Sequence, residues 1–258
     1  MKVTAILGSP RKKGDCFQVI EMIERSFNRM EEIQIEYINL KDIGLEFCKS
    51  CQLCYSKGGQ YCPHKEVTTM LFNKMLESDV VIFASPVYEQ HVTALMKNFY
   101  DHFSFLFHRP CFFDKKAILV SSTGGSGLKE TLNYLKMCAV GWGFQISGLV
   151  GVCGATLKTD HTYKEDVQKK IDHLVDNIKK SKEVSPSFYQ LAMFQAMRFK
   201  ALGASGIKDI TYKYWNERGW FEKGYYTNVK INQLKKIYSR IIGKLMKKVI
   251  NNKISIIH

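Results

Sequence analysis

Long hydrophobic runs are absent from this 258-residue chain, and no stretch approaches the eighteen consecutive apolar residues of a transmembrane helix. The N-terminal segment also lacks a small-residue cleavage site, and Pro10 directly follows its apolar run. We therefore expect a buried strand there rather than a signal peptide, and a cytoplasmic protein. Zinc-finger, RNP-type and helix-turn-helix patterns are missing too, so no motif supports nucleic-acid binding.

Charge is unevenly distributed along the chain. Apolar residues make up 45% and aromatic residues 12% of the sequence, which excludes a disordered chain. Residues 185–258 contain fourteen Lys and Arg against three Asp and Glu, a net charge of +11 out of +14. We therefore expect a globular domain over residues 1–184 and a basic extension over 185–258 that faces a partner or a membrane.

Half of the eight cysteines lie in one short segment, at Cys48, Cys51, Cys54 and Cys62. Three thiolates two residues apart can surround one side of a metal centre, and the fourth can close it from across a loop. Iron–sulfur clusters use such runs, and the ferredoxin run likewise ends in Cys-Pro, as Cys62-Pro63 does here. Zinc with His64 as a further ligand, and free or redox-active thiols, are the alternatives.

Before residue 185, short apolar runs alternate with segments of helical periodicity. The pattern predicts strands at 3–9, 33–40, 79–85, 117–122 and 145–152, and helices at 15–29, 66–77, 92–107, 127–140 and 162–181. Strands that are apolar on both faces indicate a parallel sheet covered on both sides. The commonest order for five such strands is the flavodoxin-like 2-1-3-4-5, with ligands bound beyond the carboxyl ends of the strands.

The loop after the first predicted strand has the composition of a phosphate site. Ser9 offers a hydroxyl, Arg11 a charged fork, and Gly14 a flexible backbone at a helix N-terminus. The loop lacks the Gly-Lys-Ser/Thr of a P-loop and the GxGxxG fingerprint, which disfavours nucleoside triphosphates and dinucleotides.

Two further loops follow the third and fourth predicted strands. Pro86 turns the backbone, and Val87 and Tyr88 can lie against a flat ring. The run Thr123-Gly124-Gly125 exposes backbone amides that can approach polar ring edges. A phosphate cradle beside an aromatic slot and an amide-rich loop suits a mononucleotide with a planar heterocycle, such as FMN.

The segments GSPRKKG, ASPVY and STGGSG, together with the cysteine loop, resemble the NADPH-dependent FMN reductase family over residues 1–180. Within it, the iron–sulfur flavoproteins are the most similar branch. The resemblance implies a flavodoxin-like fold, non-covalent FMN, a homodimer or homotetramer, and a [4Fe–4S] cluster close to the flavin. It assigns the cluster to Cys48, Cys51, Cys54 and Cys62, and FMN to Ser9, Arg11, Lys13, Gly14, Asp15, Cys16, Pro86, Val87, Tyr88, Thr123, Gly124 and Gly125.

This chain departs from the family pattern at two loops. Asp15 and Cys16 stand where the family has Asn and then Ser or Thr, so a lysine or arginine of the same loop must offset the carboxylate. After Tyr88 the family often has glycine, whereas this chain has Glu89. Tyr88 and His91 are the nearest candidates for proton transfer, although in this class the flavin supplies the chemistry.

The predicted function is passage of electrons between NAD(P)H or ferredoxin, the cluster, FMN and an acceptor. A cluster-free NAD(P)H-dependent FMN or quinone reductase, and a non-enzymatic electron-transfer or redox-sensor flavoprotein, are the alternatives.

The extension contains two predicted helices, at 188–202 and 232–251, around an aromatic-rich stretch at 212–226. The last helix places an apolar stripe beside lysines, and the stripe consists of Leu234, Ile237, Ile241, Leu245 and Val249. Such a helix can pack on its own domain or a second subunit, attract an acidic electron carrier such as ferredoxin, or lie on a membrane surface.

Overall fold

The computed structural model describes residues 1–29, 33–180, 185–203 and 209–252. Five strands alternate with helices, and the strands are β1 Val3–Leu7, β2 Ile35–Asn39, β3 Val80–Pro86, β4 Lys116–Thr123 and β5 Gln145–Cys153. The helices are α1 Asp15–Asn28, α2 Leu53–Ser56, α3 Lys65–Glu77, α4 Ala94–His102, α5 Leu128–Trp142, α6 Gly154–Thr159, α7 His161–Lys180, α8 Phe188–Gly203, α9 Ile210–Glu217 and α10 Gln233–Asn252. Two 3₁₀ turns, Gly59–Tyr61 and Ser104–Phe107, complete the described elements.

All neighbouring strands are parallel, in the order β2-β1-β3-β4-β5, which confirms the predicted flavodoxin-like sheet. Successive residues of a strand face opposite sides, so Ala5 packs with α1 and α7 while Ile6 packs with the helices on the other face. The register pairs Leu7 with Ala84 and Pro86 with Ser122. The loops that follow β1, β3 and β4 therefore emerge at the same edge of the sheet.

One predicted helix has clearly different bounds in the structure, and three described helices were not predicted. The predicted helix 92–107 begins only at Ala94, because the Thr93 side chain accepts a hydrogen bond from Met96 N at 3.2 Å and caps the helix. It ends at His102 and continues as a 3₁₀ turn, although its apolar pattern runs on. The short helices α2 and α6 were not predicted, since each has fewer than two turns of periodicity. Helix α9 was not predicted either, because its residues were assigned only to the aromatic-rich stretch.

The aromatic stretch of the extension forms a small core with α8 and α9. Its buried members are Leu191, Phe194, Ala201, Trp215, Trp220, Phe221 and Tyr225. Phe113, from the loop before β4, packs against this cluster. Trp215 Nε1 donates to His108 O at 2.7 Å, and the Tyr214 hydroxyl donates to Pro110 O at 2.7 Å. The α8–α9 part of the extension is therefore packed on the segment between α4 and β4.

The last helix, α10, packs on α8 through its small residues. Gln195 Nε2 donates to Ser239 Oγ at 2.9 Å, and a Cβ on Gly243 would lie 3.1 Å from Gln195 Oε1. The predicted apolar stripe lies elsewhere on the helix and is exposed at Leu234, Ile237, Ile241 and Leu245; the Val249 side chain lies outside the described residues. No helix in the described ranges has both the length and the hydropathy needed to cross a bilayer.

Candidate flavin and cysteine site

The first loop closes tightly on itself before α1. Gly8 lies against α4, where a Cβ would be 2.6 Å from Met96 Cβ, so a larger residue would not fit. The buried Ser9 hydroxyl accepts from Arg11 N at 3.1 Å and donates to Arg11 O at 3.0 Å, which fixes the turn. Gly14 is the N-cap of α1, and no side chain of the described residues caps the first amides of this 14-residue helix. These amides and the exposed Arg11 suit an anion.

The carboxylate of Asp15 turns away from this loop towards the end of β5. Lys158 Nζ lies 2.6 Å from Asp15 Oδ1, and a Cβ on Gly154 would lie only 2.1 Å from Asp15 Oδ2. The offsetting cation is therefore Lys158 of α6, which the sequence pattern had not indicated. Of the loop's own lysines, Lys12 pairs with Asp42 at 3.3 Å and Lys13 is exposed.

Cys16 is buried between α1 and the end of β4. Its Sγ lies 3.3 Å from Ser122 Oγ, and burial raises the pKa of the thiol to about 12. The group is thus a neutral thiol at neutral pH. The Cys16 side chain links the floor of the first loop to the third loop. The sequence analysis, by contrast, had placed it against the phosphate.

The second loop is a two-residue hairpin. Tyr88 N donates to His91 O at 2.9 Å, and His91 N donates to Tyr88 O at 3.1 Å. Glu89 and Gln90 both have positive φ angles, 45° and 64°, as a type I′ turn requires. Tyr88 remains well exposed at the site, whereas the His91 ring packs against Tyr134 at a centroid distance of 4.6 Å. Tyr88 is therefore available to a flat ligand, and His91 is partly engaged by α5.

The third loop is tied to the second and leaves its glycines open. Thr123 Oγ1 donates to Ser126 O at 2.6 Å and accepts from Gly125 N at 3.0 Å, while Gln90 Nε2 donates to Ser126 Oγ at 2.7 Å. Apart from the adjoining residues of the chain, no heavy atom of the described residues lies within 4 Å of a Cβ built on Gly124 or Gly125. The backbone of these glycines therefore faces free space beside Tyr88's loop.

The cysteine segment forms one cavity of about 310 Å³. All four predicted thiols line it: Cys48, Cys51, Cys54 and Cys62. Burial raises the pKa of Cys54, and the nearby thiols of Cys48 and Cys62 raise it further. Among the described residues, no group of three or more His, Cys, Asp and Glu side chains is arranged to hold a single metal ion. A four-iron cluster takes one thiolate per iron, so its ligands surround a volume and do not converge on one point.

Helix α4 connects the cysteine cavity with the second loop, which it follows in the chain. Its buried Asn98 accepts from Cys48 N at 3.0 Å and donates to Glu46 O at 3.0 Å. One turn later, His102 Nε2 donates to Glu46 O at 2.9 Å, so its Nδ1 is the acceptor and lies 3.8 Å from Cys62 Sγ. Burial lowers the pKa of His102. The spacing of Asn98 and His102 is a helical i, i+4 pair that sequence reasoning could have found.

Arg109 holds the other side of the cysteine cavity. The residue is 6% exposed, and its guanidinium donates to Tyr55 O at 3.1 Å and to Cys54 O. Its burial lowers the pKa of Arg109, and the nearby Cys54 acts in the opposite direction. No sequence signal links Arg109 to the cysteines, because about fifty residues separate them.

Residues 1–151 match the family described as NADPH-dependent FMN reductase. The chain belongs to this family. It is 28% identical over 227 residues to an iron-sulfur flavoprotein of Archaeoglobus fulgidus, covering 85% of this chain and 100% of that protein. An iron-sulfur flavoprotein of Clostridioides difficile is 26% identical over 230 residues, covering 85% and 99%. An NADPH:quinone oxidoreductase of Arabidopsis thaliana is 30% identical over 143 residues, covering 54% and 67%.

A solved apo NADH:FMN oxidoreductase superimposes on this FMN reductase family member with a TM-score of 0.51. It shares 17% sequence identity and covers 72% of this chain and 91% of that one, so it supports the fold alone. The family makes the chain an FMN-dependent oxidoreductase. The loop geometry fits that cofactor: an uncapped helix N-terminus can take the phosphate, and Gly124 and Gly125 leave room for a ring edge.

Proposed function

We propose that this FMN reductase passes electrons between a reduced donor, a [4Fe–4S] cluster and an acceptor. The observation that carries the proposal is the single cavity lined by Cys48, Cys51, Cys54 and Cys62. Asn98 and His102 of α4 hold this cavity, and α4 starts directly after the loop proposed to border the flavin. The four thiols would be the cluster ligands. The names of the two relatives that cover most of the chain support this assignment.

The FMN contacts follow from the loop geometry. The α1 amides after Gly14, with Arg11 and Lys13, would bind the phosphate, while Ser9 and Cys16 would shape the loop from inside. The ring would lie between the second and third loops, bordered by Pro86, Val87, Tyr88, Thr123, Gly124 and Gly125. When bound, FMN supplies hydride or single-electron transfer.

Two buried groups would tune the cysteine cavity. His102 Nδ1 lies 3.8 Å from Cys62 Sγ, and burial, which lowers the pKa of His102, favours the neutral ring, whose Nδ1 has no proton to donate to a thiolate. Arg109 places a buried positive charge behind Cys54. A positive charge at that position favours the more negative, reduced state of any group held by the thiolates.

Anaerobic purification with iron, sulfide and flavin assays tests the proposal. We expect bound FMN and about four irons per chain, the content of one [4Fe–4S] cluster. Cys62→Ser should lose the iron and keep FMN, whereas Cys111→Ser, which changes a partly buried cysteine outside the cavity, should keep both. Flavin without iron in the unaltered protein would exclude the cluster, and failure to bind added FMN would exclude the flavin site.

A cluster-free NAD(P)H-dependent quinone or flavin reductase is the second candidate. The similarity to the Arabidopsis NADPH:quinone oxidoreductase favours it. The two functions differ in the effect of Cys62→Ser. Steady NAD(P)H turnover that is unchanged in this variant supports the cluster-free enzyme.

The donor and the assembly complete the proposal. NAD(P)H or an acidic carrier such as ferredoxin would supply electrons, and the basic extension would attract a carrier of that charge. A homodimer or homotetramer would cover the open side of the Gly124–Gly125 backbone. None of the eight cysteines, all of which lie in the described residues, forms a disulfide. Turnover with each donor and the mass in solution test these points.

A further inference from the structure

Helix α10 carries an apolar stripe that nothing in the described part of the chain covers. Leu234, Ile237, Ile241 and Leu245 are between 51% and 73% exposed. Ser239 and Gly243, which pack on α8, lie on roughly the opposite side of the helix at 100° per residue. The helix is thus fixed by one face and presents large aliphatic side chains on the other.

A basic row runs beside this stripe. Lys236, Arg240 and Lys244 are exposed and follow one another at i, i+4 and i+8, so they form a line parallel to the apolar side chains. The sequence from Gln233 to Asn252 contains no Asp or Glu. The row therefore has no neutralising partner on its own helix.

Two hollows that contain several basic residues lie beside α10, but no residue of the stripe lines either of them. Lys223, Lys230, Lys235 and Lys236 line the first, of about 740 Å³, between α10 and the loop before it. The second, of about 370 Å³, contains Arg198 and Arg240 together with Glu222 and Ser239, so it lies on the side of α10 that packs on α8. The hollows add to the positive charge around the helix without forming part of the stripe's face.

We propose that α10 docks the protein on an anionic lipid bilayer. The stripe enters the boundary between headgroups and acyl chains, and the basic row beside it contacts the headgroup phosphates. A second copy of α10 is a poorer occupant, because pairing two stripes would bring together basic rows without acidic partners. An acidic carrier would match the lysines but not four exposed aliphatic side chains. This inference does not depend on the proposed cluster.

The test measures sedimentation of the full-length FMN-loaded protein with vesicles. We expect binding to phosphatidylglycerol vesicles that weakens with salt, and little binding to phosphatidylcholine vesicles. The double variant Ile237→Ser/Ile241→Ser should weaken partitioning by at least about tenfold, from the apolar area withdrawn from lipid. Leu76→Ser, which changes an exposed aliphatic residue of α3, is the matched control and should bind like the unaltered protein.

Charge reversal provides a second test of vesicle binding. Lys236→Glu/Lys244→Glu should abolish binding at moderate salt, whereas Lys164→Glu/Lys170→Glu on α7 changes the net charge equally and should not. Retained FMN absorbance and circular dichroism report folding. No binding to phosphatidylglycerol, or equal binding by the stripe variant, would overturn the proposal. A stripe variant that loses self-association, or binding to an acidic carrier, while keeping vesicle binding would assign the face to that partner instead.

Discussion

Replacing Arg109 by glutamine removes the group that holds α2 from behind. The guanidinium donates to the carbonyl oxygens of Cys54 and Tyr55, and the side chain is almost completely buried. Glutamine is shorter and uncharged, so it cannot reach both carbonyls in the same fork geometry. Two backbone acceptors next to the cysteine cavity would then lose their partner.

The size of the expected stability loss follows from two opposing effects, the hydrogen bonds of Arg109 and the cost of burying its guanidinium. Each hydrogen bond from a charged donor contributes about 1.5–3 kcal/mol. Part of that gain offsets the cost of burying the guanidinium, a cost that also lowers the pKa of Arg109. The net loss in free energy of unfolding for Arg109→Gln is therefore about 2–3 kcal/mol, with most of the loosening local to residues 48–57.

Urea denaturation measures the loss in free energy of unfolding, and amide hydrogen exchange measures the local loosening. Arg109→Gln should raise exchange in the peptide that contains α2, and Arg109→Lys should give an intermediate result because one ammonium cannot serve as a planar fork. Arg25→Gln on the exposed face of α1 is the control and should change stability by less than about 0.5 kcal/mol. Equal exchange in the glutamine and control variants would refute the role of the fork.

Trp215 supports the same segment from the side of the extension. Its indole donates to His108 O, one residue before Arg109, at 2.7 Å. Trp215→Phe keeps an aromatic ring in the small core but removes this donor, at a cost of about 1–3 kcal/mol. A smaller increase in exchange at residues 48–57 should accompany it. Unchanged exchange there would show that the extension does not support the cysteine loop.

Three further substitutions probe the loops and the core. Glu89→Gly should raise the free energy of unfolding by about 0.5–1 kcal/mol in urea, because glycine adopts the positive φ of 45° without strain; a decrease would contradict the type I′ turn. Gly154→Ala should displace the Asp15 carboxylate and weaken FMN binding roughly tenfold in a fluorescence titration, since a carboxylate near the phosphate repels it; unchanged affinity would refute this. Burial raises the pKa of Asp172, but hydrogen bonds from Ser26, Gln168 and Arg29 outweigh it and leave this pKa lowered. Asp172→Asn should therefore cost about 1–2 kcal/mol at neutral pH, and the difference should vanish as pH falls through the lowered pKa; a pH-independent difference would contradict it.

The fold was predictable because the central strands β1, β3 and β4 are buried on both faces, whereas the helices between the strands have a helical apolar period. The alternation of these two periods specifies a covered parallel sheet, and the ends of β1, β3 and β4 bring three loops together without any further information. The continuous apolar pattern of 92–107 predicted too early a start for this helix, because side-chain capping by Thr93 makes the helix begin later.

The partners within the site were not predictable in the same way. Lys158 meets Asp15, and Arg109 meets Cys54, across gaps of 143 and 55 residues respectively. A single sequence carries periodicity but no record of which distant side chains meet in space. The Cys48–Cys62 run was the exception, because its four thiols are close in sequence and all of them line one cavity.

The two parts of the extension require different experiments. Helices α8 and α9 carry an aromatic core that packs on Phe113, and side chains of this core donate hydrogen bonds to His108 O and Pro110 O. Removing these helices would therefore destabilise the cysteine loop. The described apolar stripe of α10 points outward and contributes no buried side chain to that core. Deleting all of 185–258 would therefore confuse loss of a docking surface with damage to the cysteine site. Substitutions confined to Ile237 and Ile241 separate the two, because they change the outward face and leave Trp215 in place.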